Sequence, residues 1–124
     1  GVFGLGAVYY NLKKYDEAEQ QFNEMLTNYK WSPLAADALY YQGLTKLNLA
    51  KYDEAVKLLE PIAGMRNASN EIKGRAMIAI GDAHFKKGAD KKLAAGTYYK
   101  AALFFESLPS IACEAYWKAG KAYE

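Results

Sequence analysis

The chain has 124 residues, 52 % of them hydrophobic, which is enough to bury a core without disulfides or metals. Its 16 Lys and Arg against 14 Asp and Glu leave a net charge of +2, with the lysines scattered, and this excludes a dedicated nucleic-acid or anionic-membrane surface. A single cysteine, Cys113, excludes an internal disulfide, and no apolar run approaches the roughly 18 residues of a membrane span.

In chain order, the first pattern is Gly6-Ala7-Val8-Tyr9-Tyr10, then Lys14-Tyr15-Asp16-Glu17-Ala18, then Phe22. It returns 37 residues later as Gly43-Leu44-Thr45-Lys46-Leu47, then Lys51-Tyr52-Asp53-Glu54-Ala55, then Leu59. Gly81, with His84-Phe85, begins a third copy after 38 residues, and Gly120, behind Tyr116-Trp117, a fourth after 39. Such self-similarity marks a repeat architecture.

Each period reads as two helices. Leu39, Tyr40, Gly43, Leu44 and Leu47 fall at helical spacing in a segment opened by Ser32 as N-cap and Pro33 at the first helical position, and ending near 48–51. A second helix follows from about Tyr52 to Met65, which Pro61 kinks or ends early. Asp16-Glu17 and Asp53-Glu54 occupy first turns, where the helix dipole favours acids. No stretch alternates with the period of a half-buried strand. The expected repeats cover about 1–31, 32–68, 69–107 and a partial 108–124.

A glycine inside a helix costs about 1 kcal/mol relative to alanine, so Gly6, Gly43, Gly81 and Gly120 together cost on the order of 4 kcal/mol. Close approach of paired helices is the compensation expected, with Ala18 and Ala55 as the opposing small residues. In the third repeat Gly88-Ala89-Asp90-Lys91-Lys92 appears as an insertion of about two residues, which gives that role to Ala95.

Glycine, aromatic and alanine at these spacings resemble the tetratricopeptide repeat over essentially the whole chain. The resemblance implies an all-α, right-handed α-solenoid of stacked antiparallel helix hairpins, here three hairpins plus one extra helix. It also implies a concave face lined by the first helix of each pair. Carried onto this sequence, that face holds Phe3, Tyr10 and Asn11, then Tyr40, Tyr41, Leu44 and Asn48. The third repeat adds Arg75, Ile78, Asp82 and Lys86, and the last helix Trp117, Lys118 and Lys121. The partner implied is another protein, as a peptide or helix segment, with no nucleic acid and no membrane insertion. The competing reading makes several of these tyrosines core residues with only the hydroxyl wet. The carboxylate clamp of chaperone co-factors uses Lys and Asn where this chain has Ala7, Leu44 and Asp82, which disfavours that subtype.

The run from Phe22 to Gly43 also resembles bacterial cell-envelope members of the family, of the Tol–Pal division-coordinator and barrel-assembly lipoprotein type, although Lys30 stands at their proline position. A periplasmic or envelope location is the expectation this carries. The alternative function is an interaction segment of a larger enzyme or secretion component, and a third is self-stacking of the solenoid ends. Only five residues precede Gly6 and the fourth repeat has one helix, so a piece of a longer protein is expected.

No enzyme, metal or cofactor is expected. His84 stands where the first repeat has Tyr9 and reads as a packed helix residue; Cys113 reads as a small apolar filler. Gly4-Leu5-Gly6 has no strand before it and is not a phosphate loop. Asn67-Ala68-Ser69 is a chance-level glycosylation triplet in a linker.

Overall fold

A computed structural model describes residues 2–28, 34–66, 68–88 and 91–122, with backbone alone at 2 and 3. Among these the chain is all-helical and contains no strand. The helices are α1 (Val2–Asn11), α2 (Tyr15–Asn28), α3 (Ala35–Asn48), α4 (Tyr52–Leu59), α5 (Asn70–Lys87), α6 (Lys91–Phe104) and α7 (Pro109–Ala122). Ser32 and Pro33 lie outside the described residues, as do Asn67, Ala89 and Asp90.

Every helix packs against its neighbours in the chain, and the odd-numbered ones also meet pairwise, α1 with α3, α3 with α5 and α5 with α7. The buried side chains accordingly form a series of clusters. Ala18, Phe22, Met25 and Ala38 make one between α2 and α3, with Tyr9, Tyr10 and Tyr41 packed on it. A second gathers Ala55, Leu59, Ile62, Ala76 and Ala79 from α4, α5 and the turn between them. The third joins Ala94, Ala95, Tyr98, Ile111 and Ala115 from α6 and α7.

Local chemistry explains the helix ends. Residues Lys13, Ala50 and Gly88 adopt left-handed backbone, with φ of 61°, 63° and 74°, just after α1, α3 and α5. After α3 the Lys51 amide donates to the Lys46 carbonyl at 2.9 Å and the Ala50 amide to Leu47 at 3.1 Å, the paired bonds of a Schellman stop. Lys14 and Lys13 repeat the arrangement onto Tyr9 and Tyr10 at 2.9 and 3.0 Å. Only the third of these positions has the glycine that the conformation favours. Pro61 acts as expected: α4 stops at Leu59 and Glu60–Gly64 tightens into a 3₁₀ turn. The acidic residues sit in the first turns of α2 and α4.

The glycine expectation needs correction. A Cβ on Gly6 would lie 2.7 Å from Phe22, one on Gly43 2.6 Å from Leu59, and one on Gly81 2.6 Å from Tyr98. The glycine is therefore a notch for a large side chain, and the alanine lies one turn before that side chain: Ala18, Ala55 and Ala94, all fully buried. Ala95, expected in this role, is fully buried beside Ala94, and notch and knob in the third repeat are one residue farther apart in sequence than in the first two. Gly120 has nothing within 4 Å of an added Cβ. Cys113 is exposed rather than a filler, because its side of α7 points away from the face that Ile111, Ala115 and Ala119 bury.

Candidate functional site

Helical spacing puts Tyr40, Tyr41 and Leu44 on neighbouring turns of α3. Tyr41 stacks on Phe22 at 5.7 Å between centroids and meets Tyr10 edge-on at 5.4 Å and Tyr40 at 5.6 Å. Offset and edge contacts of this kind fix ring orientation through the aromatic quadrupole. Asn48 Nδ2 donates to the Tyr10 hydroxyl at 3.1 Å and to the Leu44 carbonyl at 2.9 Å, which ties α1 to α3.

The three tyrosine rings border a cleft of about 590 Å³, whose other walls include Asn11, Asp37, Glu71 and Arg75. Arg75 Nε binds Glu71 Oε1 at 3.2 Å, one turn apart on α5. Burial pushes the Tyr40 phenol up to about 12, against partial relief from the Arg75 guanidinium. Burial also raises the Tyr10 phenol, opposed by the Asn48 hydrogen bond, and lifts the Asp37 carboxyl, helped by the negative charge of Glu71.

Tyr40, Leu44 and Arg75 also line a smaller cleft of about 80 Å³ that continues to Ile78, Asp82, Glu114 and Lys118. Asp82 and Lys118 in turn belong to a third cleft of about 380 Å³ with Phe85, Tyr98, Trp117 and Lys121. Lys118 Nζ lies 3.1 and 3.0 Å from the two Asp82 carboxylate oxygens, bridging α7 to α5. Tyr98 donates its hydroxyl to the same carboxylate, and burial, with that hydrogen bond, raises its phenol. The Lys121 ammonium stands 5.5 Å from the centre of the Trp117 ring, a cation–π contact.

Shared walls thus set the three clefts side by side over α1, α3, α5 and α7. Of the residues expected on a binding face, Tyr10, Asn11, Tyr40, Tyr41, Leu44, Arg75, Ile78, Asp82, Trp117, Lys118 and Lys121 border these clefts. Asn48 stands behind them as the brace of Tyr10. Ile78 is only 4 % exposed and forms floor, while Lys86 is exposed near the end of α5 and borders none of these clefts. The side chain of Phe3 lies outside the described residues.

Sequence reasoning overlooked Asp37 and Glu71. The repeat register carries Arg75 back onto Asp37, and the i, i+4 pairing rule points from Arg75 to Glu71, so both signals were present. Ser69, taken above as part of a linker triplet, caps α5 by accepting the Ile72 amide at 3.1 Å, and it also borders the first cleft.

His84 borders a separate hollow with Asp53, Lys57, Glu60 and Lys87. Lys87 holds the Asp53 carboxyl below its usual range through a 2.7 Å contact. Among the described residues no three of His, Cys, Asp and Glu gather as metal donors, and no helix is long and apolar enough to cross a membrane.

No protein-family model matches the chain, and no curated protein matches it either.

Proposed function

We propose that the chain is a tetratricopeptide-type scaffold, a right-handed solenoid of three helix hairpins and a further helix, that binds a segment of another protein along these clefts. The observation that carries this is the succession of adjacent clefts across α1, α3, α5 and α7, each sharing lining residues with the next. Equivalent positions of successive repeats line it, as expected where a repeated unit presents the same face each time. The periods of 37 to 39 residues and the notch-and-knob pairs Gly6–Phe22, Gly43–Leu59 and Gly81–Tyr98 support the repeat reading.

The chemistry of these clefts suits an extended peptide or an amphipathic helix. Tyrosine faces give apolar contact at little entropic cost, and hydroxyl, amide, carboxylate and guanidinium groups alternate with them to read backbone and side chains. Its reaction chemistry, in this reading, is none: the groove recognises and positions. The Phe22–Gly43 run favours the periplasmic side of a bacterial envelope as its place of work.

The test is capture from bacterial envelope extract by the immobilised chain, by Tyr40→Ala/Leu44→Ala and by Arg75→Glu. Tyr40 and Leu44 also pack on the core, whereas the Arg75 side chain is 41 % exposed, so Arg75→Glu separates lost contact from lost fold. A protein bound by the parent and lost by both variants is expected. Equal capture by all three would remove the groove as the binding site.

A further inference from the structure

The three clefts differ in charge. The walls of the first hold two carboxylates, Asp37 on α3 and Glu71 on α5, against one guanidinium, that of Arg75. In the smallest, Arg75 and Lys118 balance Asp82 and Glu114, and in the third two lysines face Asp82 alone. An excess of carboxylate belongs to the first cleft only. Its walls come from α1, α3 and the start of α5, and each of these helices has the helix that follows it packed against it.

Within this cleft the guanidinium is already engaged, with Arg75 Nε 3.2 Å from Glu71 Oε1. Asp37 is partly buried, and among the described residues no ion pair is made to it. Burial lifts its carboxyl above the ordinary range and the Glu71 charge adds to this, as for a carboxylate short of compensating positive charge. Tyr40 and Tyr41 follow Asp37 by one turn of α3, and with Tyr10 they wall the same space. Carboxylate and aromatic ring attract one class of ligand: the first through its charge, the second through the negative face of its quadrupole.

We propose that the first cleft takes an arginine or lysine side chain of the bound segment, seated against the tyrosines with its charge on Asp37 and shared with Glu71. The inference rests on the binding of a protein segment along the clefts and adds the residue that the segment must carry. An acidic side chain directed at Arg75 would compete with Glu71 and face the uncompensated Asp37. Arg75 holds Glu71 at the wall, so reversing its charge would repel that carboxylate and weaken the seat.

The experiment pans random peptides displayed on phage against the whole chain. Selected peptides are labelled with a fluorophore and titrated by anisotropy with the chain and its variants. Loss of binding to Tyr40→Ala/Leu44→Ala marks those that occupy the groove. Among these a basic residue at one fixed position is expected. Its replacement by glutamine, or Asp37→Asn in the chain, should weaken binding about tenfold or more, the effect of losing a partly desolvated charge pair. Both changes together should cost no more than either alone, which separates a lost contact from a general loss. Asp37→Asn preserves side-chain size, and its melting curve checks the fold. Groove-binding peptides that carry no basic preference, or an acidic one, and are indifferent to Asp37→Asn overturn this inference and leave the groove standing. If no selected peptide depends on Tyr40 and Leu44, the groove and the basic side chain fall together.

Discussion

Gly43 and Gly120 carry the same letter at the same register, yet the side chains around them give opposite expectations for substitution. At Gly43 a Cβ would press on Leu59 atoms 2.6 Å away, and Leu59 is fully buried with no room to retreat. Gly43→Leu should therefore cost about 2–3 kcal/mol by overpacking. Gly120→Ala should gain up to about 1 kcal/mol, since helix propensity acts there unopposed. Urea unfolding of the two variants measures both; equal and small changes would show that the notch is not what keeps glycine at position 43. The same residue-level pairing makes Phe22 a severe loss: Phe22→Ala leaves a void beneath Tyr41 and should cost about 3–5 kcal/mol.

Whole elements depend on how their ends are closed. The Ser69 hydroxyl caps α5, the longest helix described, whose residues reach the clefts from Glu71 to Phe85. Ser69→Ala should lower stability by about 1 kcal/mol in thermal unfolding, and Ser69→Asp should restore most of it. At the end of α3 the opposite opportunity exists. Ala50 sits at φ 63°, a conformation that costs a side chain about 1–2 kcal/mol, while glycine adopts it freely. Allowing for the greater freedom of glycine in the unfolded chain, Ala50→Gly should stabilise by about 0.5–1 kcal/mol. Gly88 already occupies the matching position after α5 and serves as the internal reference.

At the scale of the molecule the tyrosines set an alkaline limit. Tyr40 keeps its proton to about 12, and burial raises Tyr10 and Tyr98 as well, whereas tyrosines of an unfolded chain ionise near 10. Between those values the unfolded chain binds fewer protons than the folded one, so stability should be flat below pH 10 and fall as pH rises from 10 towards 12. Tyr40→Phe/Tyr98→Phe should flatten that fall. Denaturation midpoints taken across pH 9 to 12 check the slope, and a variant as steep as the parent would place the sensitivity elsewhere. Cross-helix pairs such as Lys118–Asp82 and Lys46–Glu19 tie α7 to α5 and α3 to α2.

Period and spacing were enough to locate the helices and the Pro61 break, because each depends on rules local to a helix or on a register the sequence repeats four times, whereas the residues expected on the cleft face came from the family resemblance carried onto that register. The register also held the information for Asp37, which the repeat aligns with Arg75. What the sequence by itself determined is therefore the all-helical class and which face of each odd-numbered helix looks the same from repeat to repeat. The tertiary structure alone decided what lies nearest a glycine, and it placed the side chains of Phe22, Leu59 and Tyr98 there. It also decided that Gly120 and Cys113 stand open, that Lys86 falls outside the clefts, and that Ser69 is a cap. The physical reason is that a repeat fixes which residues are equivalent, whereas packing depends on whether a neighbouring helix stands against each of them.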